Sequence, residues 1–189
     1  MKRLVIMALV LVIVGSAVFA GAEEETDTSG SDAAMPATQM MDGYSSAEAA
    51  GVTVQWKVEG SSISVQMSAP TTGWIAVGFD PSRQMADANI IIGYVEGGEV
   101  FLSDDYGVGN VRHAPDVENG GTYDLTDVEG EEADGMTVLR FTMPLDSGDA
   151  TDKPLVAGST YKIIAAHGPD GADDYGTYHG SRGSFETEL

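Results

Sequence analysis

Beyond its N-terminal segment, no window of eleven or more residues repeats apolar side chains at the spacing of a helix. Alternation takes its place. Val52, Val54, Trp56 and Val58 recur at every second residue, Glu59-Gly60-Ser61 breaks the run, and Ile63, Val65 and Met67 resume it. Two half-buried strands joined by a turn are the expected result. Gly73 to Phe79 (GWIAVGF) is apolar on both faces and reads as a central strand. Asn89 to Val95 and Val100 to Leu102, joined by Glu96-Gly97-Gly98, predict another pair. Further strands are expected around Val108 to Arg112, over Thr122 to Val128, from Gly135 to Pro144 and from Ser159 to Ala166. Half-apolar strands bury their faces by stacking sheets. The prediction is an all-β fold, an antiparallel, immunoglobulin-like β-sandwich of about 8–10 strands.

The N-terminal segment differs. MKRLVIMALVLVIVGSAVFAGA has a short basic start, an apolar run and small residues at its end. Residues 1–22 therefore read as a secretory signal peptide. An uncleaved anchor is the rival reading, although the run from Leu4 to Phe19 is short against the roughly 20 residues of a spanning helix. Both readings put the rest of the chain outside the cytoplasmic membrane, periplasmic or secreted. Residues 23–43 are acidic and rich in Ser, Thr and Ala, as expected of a disordered tether. The folded domain is expected over 44–189.

The chain has no cysteine, which excludes a disulfide framework, a thiolate metal site and covalent haem attachment through C-x-x-C-H. Its formal charge of −21 repels nucleic acid and anionic lipid. That charge suits a solvated coat, and also steering toward a basic partner. The acidic loops at Asp104-Asp105, Asp116, Glu129-Glu131-Glu132 and Asp170 with Asp173-Asp174 offer oxygen ligands for calcium, but none has the EF-hand spacing, and most read as solvated turns. No nucleophile elbow, P-loop, dinucleotide fingerprint or H-E-x-x-H motif occurs, so catalysis by this chain alone is not expected.

Met85 and His179 are the residues with most chemical meaning. A thioether and an imidazole can close the axial positions of a haem iron. Met85 follows a polar stretch, Asp80 to Gln84, ahead of an apolar strand; His179 sits beside Gly180. They lie 94 positions apart, so only tertiary structure can join them, and both loops are expected at one end of the β domain. Arg182 suits a propionate, because guanidinium matches carboxylate geometry. His167, directly after the strand YKIIAA, is the alternative ligand; His113, in RHAPD, is expected to be exposed.

GWIAVGF, Met85 with ANIIIGYV, DDYGVG, APDVENGGTYDL, FTMPLDSGDATDKPL, YKIIAAHG and YHGSRG, in that order, resemble the DOMON domain over about residues 44–189. The resemblance implies an extracytoplasmic β-sandwich that recognises haem or sugar. Its haem-binding members resemble the cytochrome domain of cellobiose dehydrogenase, which holds a non-covalent b-type haem between methionine and histidine. Carried onto this chain, those ligands fall on Met85 and His179, with Trp74, Tyr94, Tyr106 and Tyr178 as expected pocket walls. Many members have a basic residue where this chain has Met143. The implied function is electron transfer with a separate redox protein or membrane cytochrome. The alternative is a non-enzymatic module for a carbohydrate or other small ligand, with Trp74 and Tyr106 stacking on it.

Overall fold

The computed structural model describes residues 39–189. The leader and most of the tether lie outside the described residues. Gln39 to Gly43, expected to be tether, already contact the domain. The buried Gln55 amide donates to Gln39 O at 3.2 Å, and its oxygen accepts from Met41 N–H at 2.7 Å.

Eleven strands form two antiparallel sheets, as the alternation predicts, with one strand more than the expected range. The first sheet holds β1 (Ser45–Ala49), β2 (Val52–Glu59), β3 (Ser62–Ala69), β8 (Thr126–Ala133) and β9 (Met136–Pro144), in the order β1-β2-β3-β9-β8. The second holds β4 (Ile75–Phe79), β5 (Asn89–Glu96), β6 (Glu99–Gly109), β7 (Arg112–Pro115), β10 (Thr160–His167) and β11 (Ser181–Glu188), in the order β11-β10-β4-β5-β6-β7. A 3-10 turn at Asp116–Glu118 is the one helical element among the described residues.

The core lies between the sheets. Val54, Trp56, Val65, Leu139 and Phe141 enter from the first sheet; Ile75, Val77, Phe79, Ile91 and Ile163 enter from the second. Met143 belongs to this core, at 2% exposure. A basic side chain there would be desolvated, which accounts for an apolar residue at this position. A second apolar cluster, Trp74, Ala76, Ile92 and Ala172, lies on the outer face of the second sheet. Strands normally alternate between a buried and a solvated face. Here β4 and β5 are buried on both, because loops cover the outer face.

Acidic residues are also buried. Asp104 on β6 and Asp116 on the 3-10 turn are 4% and 1% exposed, which corrects the expectation of solvated turns. Burial above all pushes both from an ordinary 3.8 to about 7, and neighbouring carboxylates add to it; the Asp124 backbone N–H opposes the shift at Asp104. Asp152, Asp116 and Asp124 face Asp104; Asp152, Asp149 and Asp105 face Asp116. Both groups therefore hold protons in the folded chain where the unfolded chain has released them. Their contribution to stability is full below pH about 4 and is lost as pH rises through about 7. Asp87 and Asp174, held low by hydrogen bonds from Ser82 and Thr177, act below that window. With chelator present, the urea midpoint is expected to fall between pH 4.5 and pH 7.5. A rising midpoint would contradict this assignment.

Candidate functional site

A cavity of about 500 Å³ lies on the outer face of the six-stranded sheet. That volume is typical of cofactor and small-molecule sites, roughly 300–1,000 Å³. Its floor comes from outward positions of the strands: Ala76 and Gly78 on β4, Ile90 and Ile92 on β5, Ile164 and Ala166 on β10. Gly78 leaves no room for a side chain, since a Cβ would lie 2.7 Å from Ile164 Cγ1. The small and branched residues make a low apolar platform.

Met85 reaches this cavity from the β4–β5 loop. The loop is built on β6. Met85 N–H donates to Asn110 O at 3.3 Å, Asp87 N–H to Gly107 O at 2.9 Å, and Gly107 N–H to Ala88 O at 2.9 Å. Asp80, Gln84 and Asp87 all have positive φ, of 50°, 54° and 60°, so the loop is strained at three non-glycine positions. The Asp87 carboxylate helps to hold that shape. It accepts from the Ser82 hydroxyl at 2.5 Å and the Tyr106 hydroxyl at 3.0 Å, and these bonds keep it below its usual value.

His179 reaches the same cavity from the β10–β11 loop. Trp74, 5% exposed, lines the cavity and donates from Nε1 to Thr177 O at 3.1 Å, which pins that loop. His179 is half-buried beneath Tyr178, ring centroids 4.1 Å apart. Arg182 donates to His179 Nε2 at 3.3 Å and lines the cavity as well.

The two loops do not share one end of the domain. β4 and β10 are antiparallel, with Phe79 opposite Ile163 and Ile75 opposite His167. The loop after β4 and the loop after β10 therefore leave from opposite ends of the sheet. They meet by folding across its outer face, and each contributes its residue to one cavity.

The other expected residues divide. Trp74, Tyr178 and Arg182 line the cavity. Tyr94 stands behind it, stacked on Phe101 at 4.9 Å and against the lining residue Tyr175 at 5.3 Å. Tyr106 is a brace for Asp87, not a wall. His167 is placed elsewhere. It shares the inward parity of Ile163 and Ala165, has Nδ1 2.8 Å from Gly168 O, and lies beside Gly51. His113 does line the cavity, against expectation. Its Nδ1 is 2.5 Å from the buried carboxylate of Asp105, which also accepts from the Ser103 hydroxyl at 2.5 Å. A carboxylate can only accept, so Nδ1 carries a proton, and in the neutral imidazole the lone pair is then on Nε2. Gly107, the seat of the Met85 loop, was not expected. A glycine inside a strand, in DYGVG, is a signal of close backbone approach.

A family model described as DOMON domain matches residues 48–168. DBH-like monooxygenase protein 1 of Homo sapiens is 30% identical over 135 residues, covering 71% of this chain and 21% of that protein. MOXD1 homolog 2 of Drosophila melanogaster is 28% identical over 111 residues, covering 59% and 14%. The chain thus spans about a fifth or less of these relatives. Among solved structures, the cytochrome b domain of pyranose dehydrogenase from Coprinopsis cinerea superposes with a TM-score of 0.54 at 12% identity, covering 72% of this chain and 76% of that one. The cytochrome domain of Myriococcum thermophilum cellobiose dehydrogenase gives 0.51 at 12% identity, covering 73% and 74%. At such identity the likeness is one of fold. The family match, together with the two-sheet architecture, shows that this chain belongs to the DOMON domain family.

Proposed function

We propose that this domain binds one non-covalent b-type haem on the outer face of its six-stranded sheet and carries electrons, with Met85 and His179 as axial ligands. One observation carries the reading: a thioether and an imidazole, delivered from opposite ends of the sheet, line one apolar-floored cavity. Loops arriving from opposite ends would let Met85 and His179 hold a flat group between them. The residues present fit such a group. The platform of Ala76, Gly78 and Ile164 would meet an apolar edge of the group, and Arg182, exposed at the rim, suits a carboxylate. Haem held by methionine and histidine supplies one-electron transfer at a raised potential with both axial positions filled, which fits a carrier and not an enzyme.

The chain's own residues would prepare the site. Asp87, Tyr106 and Gly107 fix the loop of Met85, and Trp74 fixes the loop of His179. Arg182 must leave His179 Nε2 for that nitrogen to ligate, and its exposed position makes the movement easy. The net charge of −21 favours a redox partner with a basic face, either a separate redox protein or a membrane cytochrome. The leader-like start supports an extracytoplasmic location. No helix of the described residues is long and apolar enough to cross a membrane.

Absorbance tests the proposal. Protein reconstituted with one equivalent of haem is expected to show a Soret band and, on reduction, sharp α and β bands. A folded protein that leaves haem unbound would overturn it. The carbohydrate reading has one support, the exposed Tyr178 at the rim; Trp74 is too buried to stack on a ring. It predicts a sugar-dependent rise in melting temperature instead.

A further inference from the structure

We propose that Asp104, Asp116 and Asp152 form a calcium-binding site, separate from the cavity on the outer face. Oxygen atoms of these three carboxylates lie within 4.8 Å of one another, and Asp124, Asp149 and Asp152 form a second such group that shares Asp152. Acidic clusters are common on acidic proteins. This one differs because its deepest members are buried and carry oxygens without a hydrogen-bond partner. Asp104 Oδ1, both oxygens of Asp116 and Asp152 Oδ1 are buried without a hydrogen bond. Asp104 and Asp116 are 4% and 1% exposed. None of the ion pairs found among the described residues involves Asp104, Asp116 or Asp152.

Unpaired buried carboxylates are strongly disfavoured unless protonated or bound to a cation. Their surroundings are organised as a binding site would be. Asp124 N–H donates to Asp104 Oδ2 at 3.0 Å, which leaves Oδ1 free. Asp149 ties its loop together: Oδ1 accepts from Thr151 N–H at 2.9 Å and Asp152 N–H at 3.1 Å, and Oδ2 accepts from Thr122 N–H at 2.9 Å. Gly121 lets the two segments close, since a Cβ there would lie 2.0 Å from Thr151 Oγ1 and 3.2 Å from Asp116 Cβ. The donors are all hard oxygens. Calcium accepts six to eight such ligands in flexible geometry, whereas magnesium demands a near-regular octahedron and keeps its waters. A dense set of carboxylates from a strand, a 3-10 turn and a loop fits calcium better. The site also joins the 146–152 segment to β6, so an ion there would staple the far edge of the sandwich.

Calorimetric titration of the full chain, stripped with chelator and desalted at pH 7.5, tests this. Calcium chloride is expected to bind with one tight site per chain and to raise the melting temperature, with magnesium at least tenfold weaker. Asp116→Asn and Asp104→Asn are each expected to weaken calcium at least tenfold. Without calcium they should melt no lower than the wild type, because each removes a buried charge while keeping the shape. Absence of heat and of any melting shift at millimolar calcium would overturn the proposal. So would undiminished binding in both variants, which would put the ion elsewhere on the acidic surface. Should the variants not fold, terbium luminescence of the wild type substitutes. Emission sensitised by Tyr123, whose phenol lies within the field of the Asp104 carboxylate, and displaced by calcium supports the site, and its absence rejects it.

Discussion

Met85→Ala is expected to leave the domain folded and haem-bound while abolishing the low-spin spectrum of the reconstituted protein. Met85 lies in a loop outside the core, so truncation opens no void between the sheets. The loop conformation is held by backbone bonds to Gly107 and Asn110 and by Asp87, none of which needs the thioether. What disappears is the thioether of a residue that lines the cavity. His113 complicates the outcome, because its Nε2 is unengaged in the same cavity. If that nitrogen fills the vacant position, the single variant stays low-spin at a lower potential, as replacement of methionine by histidine implies. The Met85→Ala/His113→Ala double variant removes the substitute and should be high-spin. A double variant with the wild-type spectrum would show that Met85 is no ligand. His179→Ala should have the larger effect on haem retention, since it removes the proposed nitrogen ligand.

Gly107→Ala is the second large effect, and it acts at a distance from the chemistry. A Cβ at this position would lie 1.8 Å from Met85 O, 2.8 Å from Met85 C and 3.1 Å from Ala88 N. All three are backbone atoms, so no rotamer change relieves the overlap. Either β6 or the 80–88 loop must move. Overpacking of this kind costs about 1–3 kcal/mol. For a domain of this size that lowers the melting temperature by roughly 2–12 °C. The displaced loop should also carry Met85 away from the cavity, so loss of stability and loss of the low-spin spectrum are expected together. Gly109→Ala, two residues along the same strand, meets nothing within 4 Å and should change neither. Equal effects from the two glycines would refute the idea that β6 seats the ligand loop.

Much of the fold was legible because alternation is a local property. β2, β3, β5, β9 and β10 begin and end within two residues of the apolar runs that predict them. The run GWIAVGF carried further information. Its apolarity on both faces marks a strand covered on both sides, and the cover on the outer side is the pair of loops that closes the cavity. β1 (SSAEA) and β11 (SRGSFETE) escaped because edge strands bear few apolar residues and form through pairing with β2 and β10. Thr122 to Val128 was placed too early, since the ladder with β9 starts at Thr126.

The site was less legible, for reasons of register. Strand parity would have turned His167 inward with Ile163 and Ala165, a signal present in YKIIAAH itself. His113 enters the cavity through the pairing of β6 with β7, which has a register shift between Tyr106 and Gly109 that no local pattern announces. That β4 and β10 are neighbours, and so place their following loops at opposite ends, depends on contacts far apart in the chain. Asp104 and Asp105 illustrate the same limit. Adjacent acids in a strand look solvated, yet alternation sends one toward His113 and the other toward Asp116, and both faces are covered.

The central claim concerns one sulfur and one ring nitrogen on a shared iron. Carbon-13 labelling of the methionine methyl groups, observed in the reduced, haem-loaded protein, reads it most directly. The account predicts that one of the nine methionines has its methyl resonance driven far upfield by the porphyrin ring current, and that Met85→Leu removes that resonance alone. A reduced haem protein in which every methionine methyl stays at its ordinary position would contradict it.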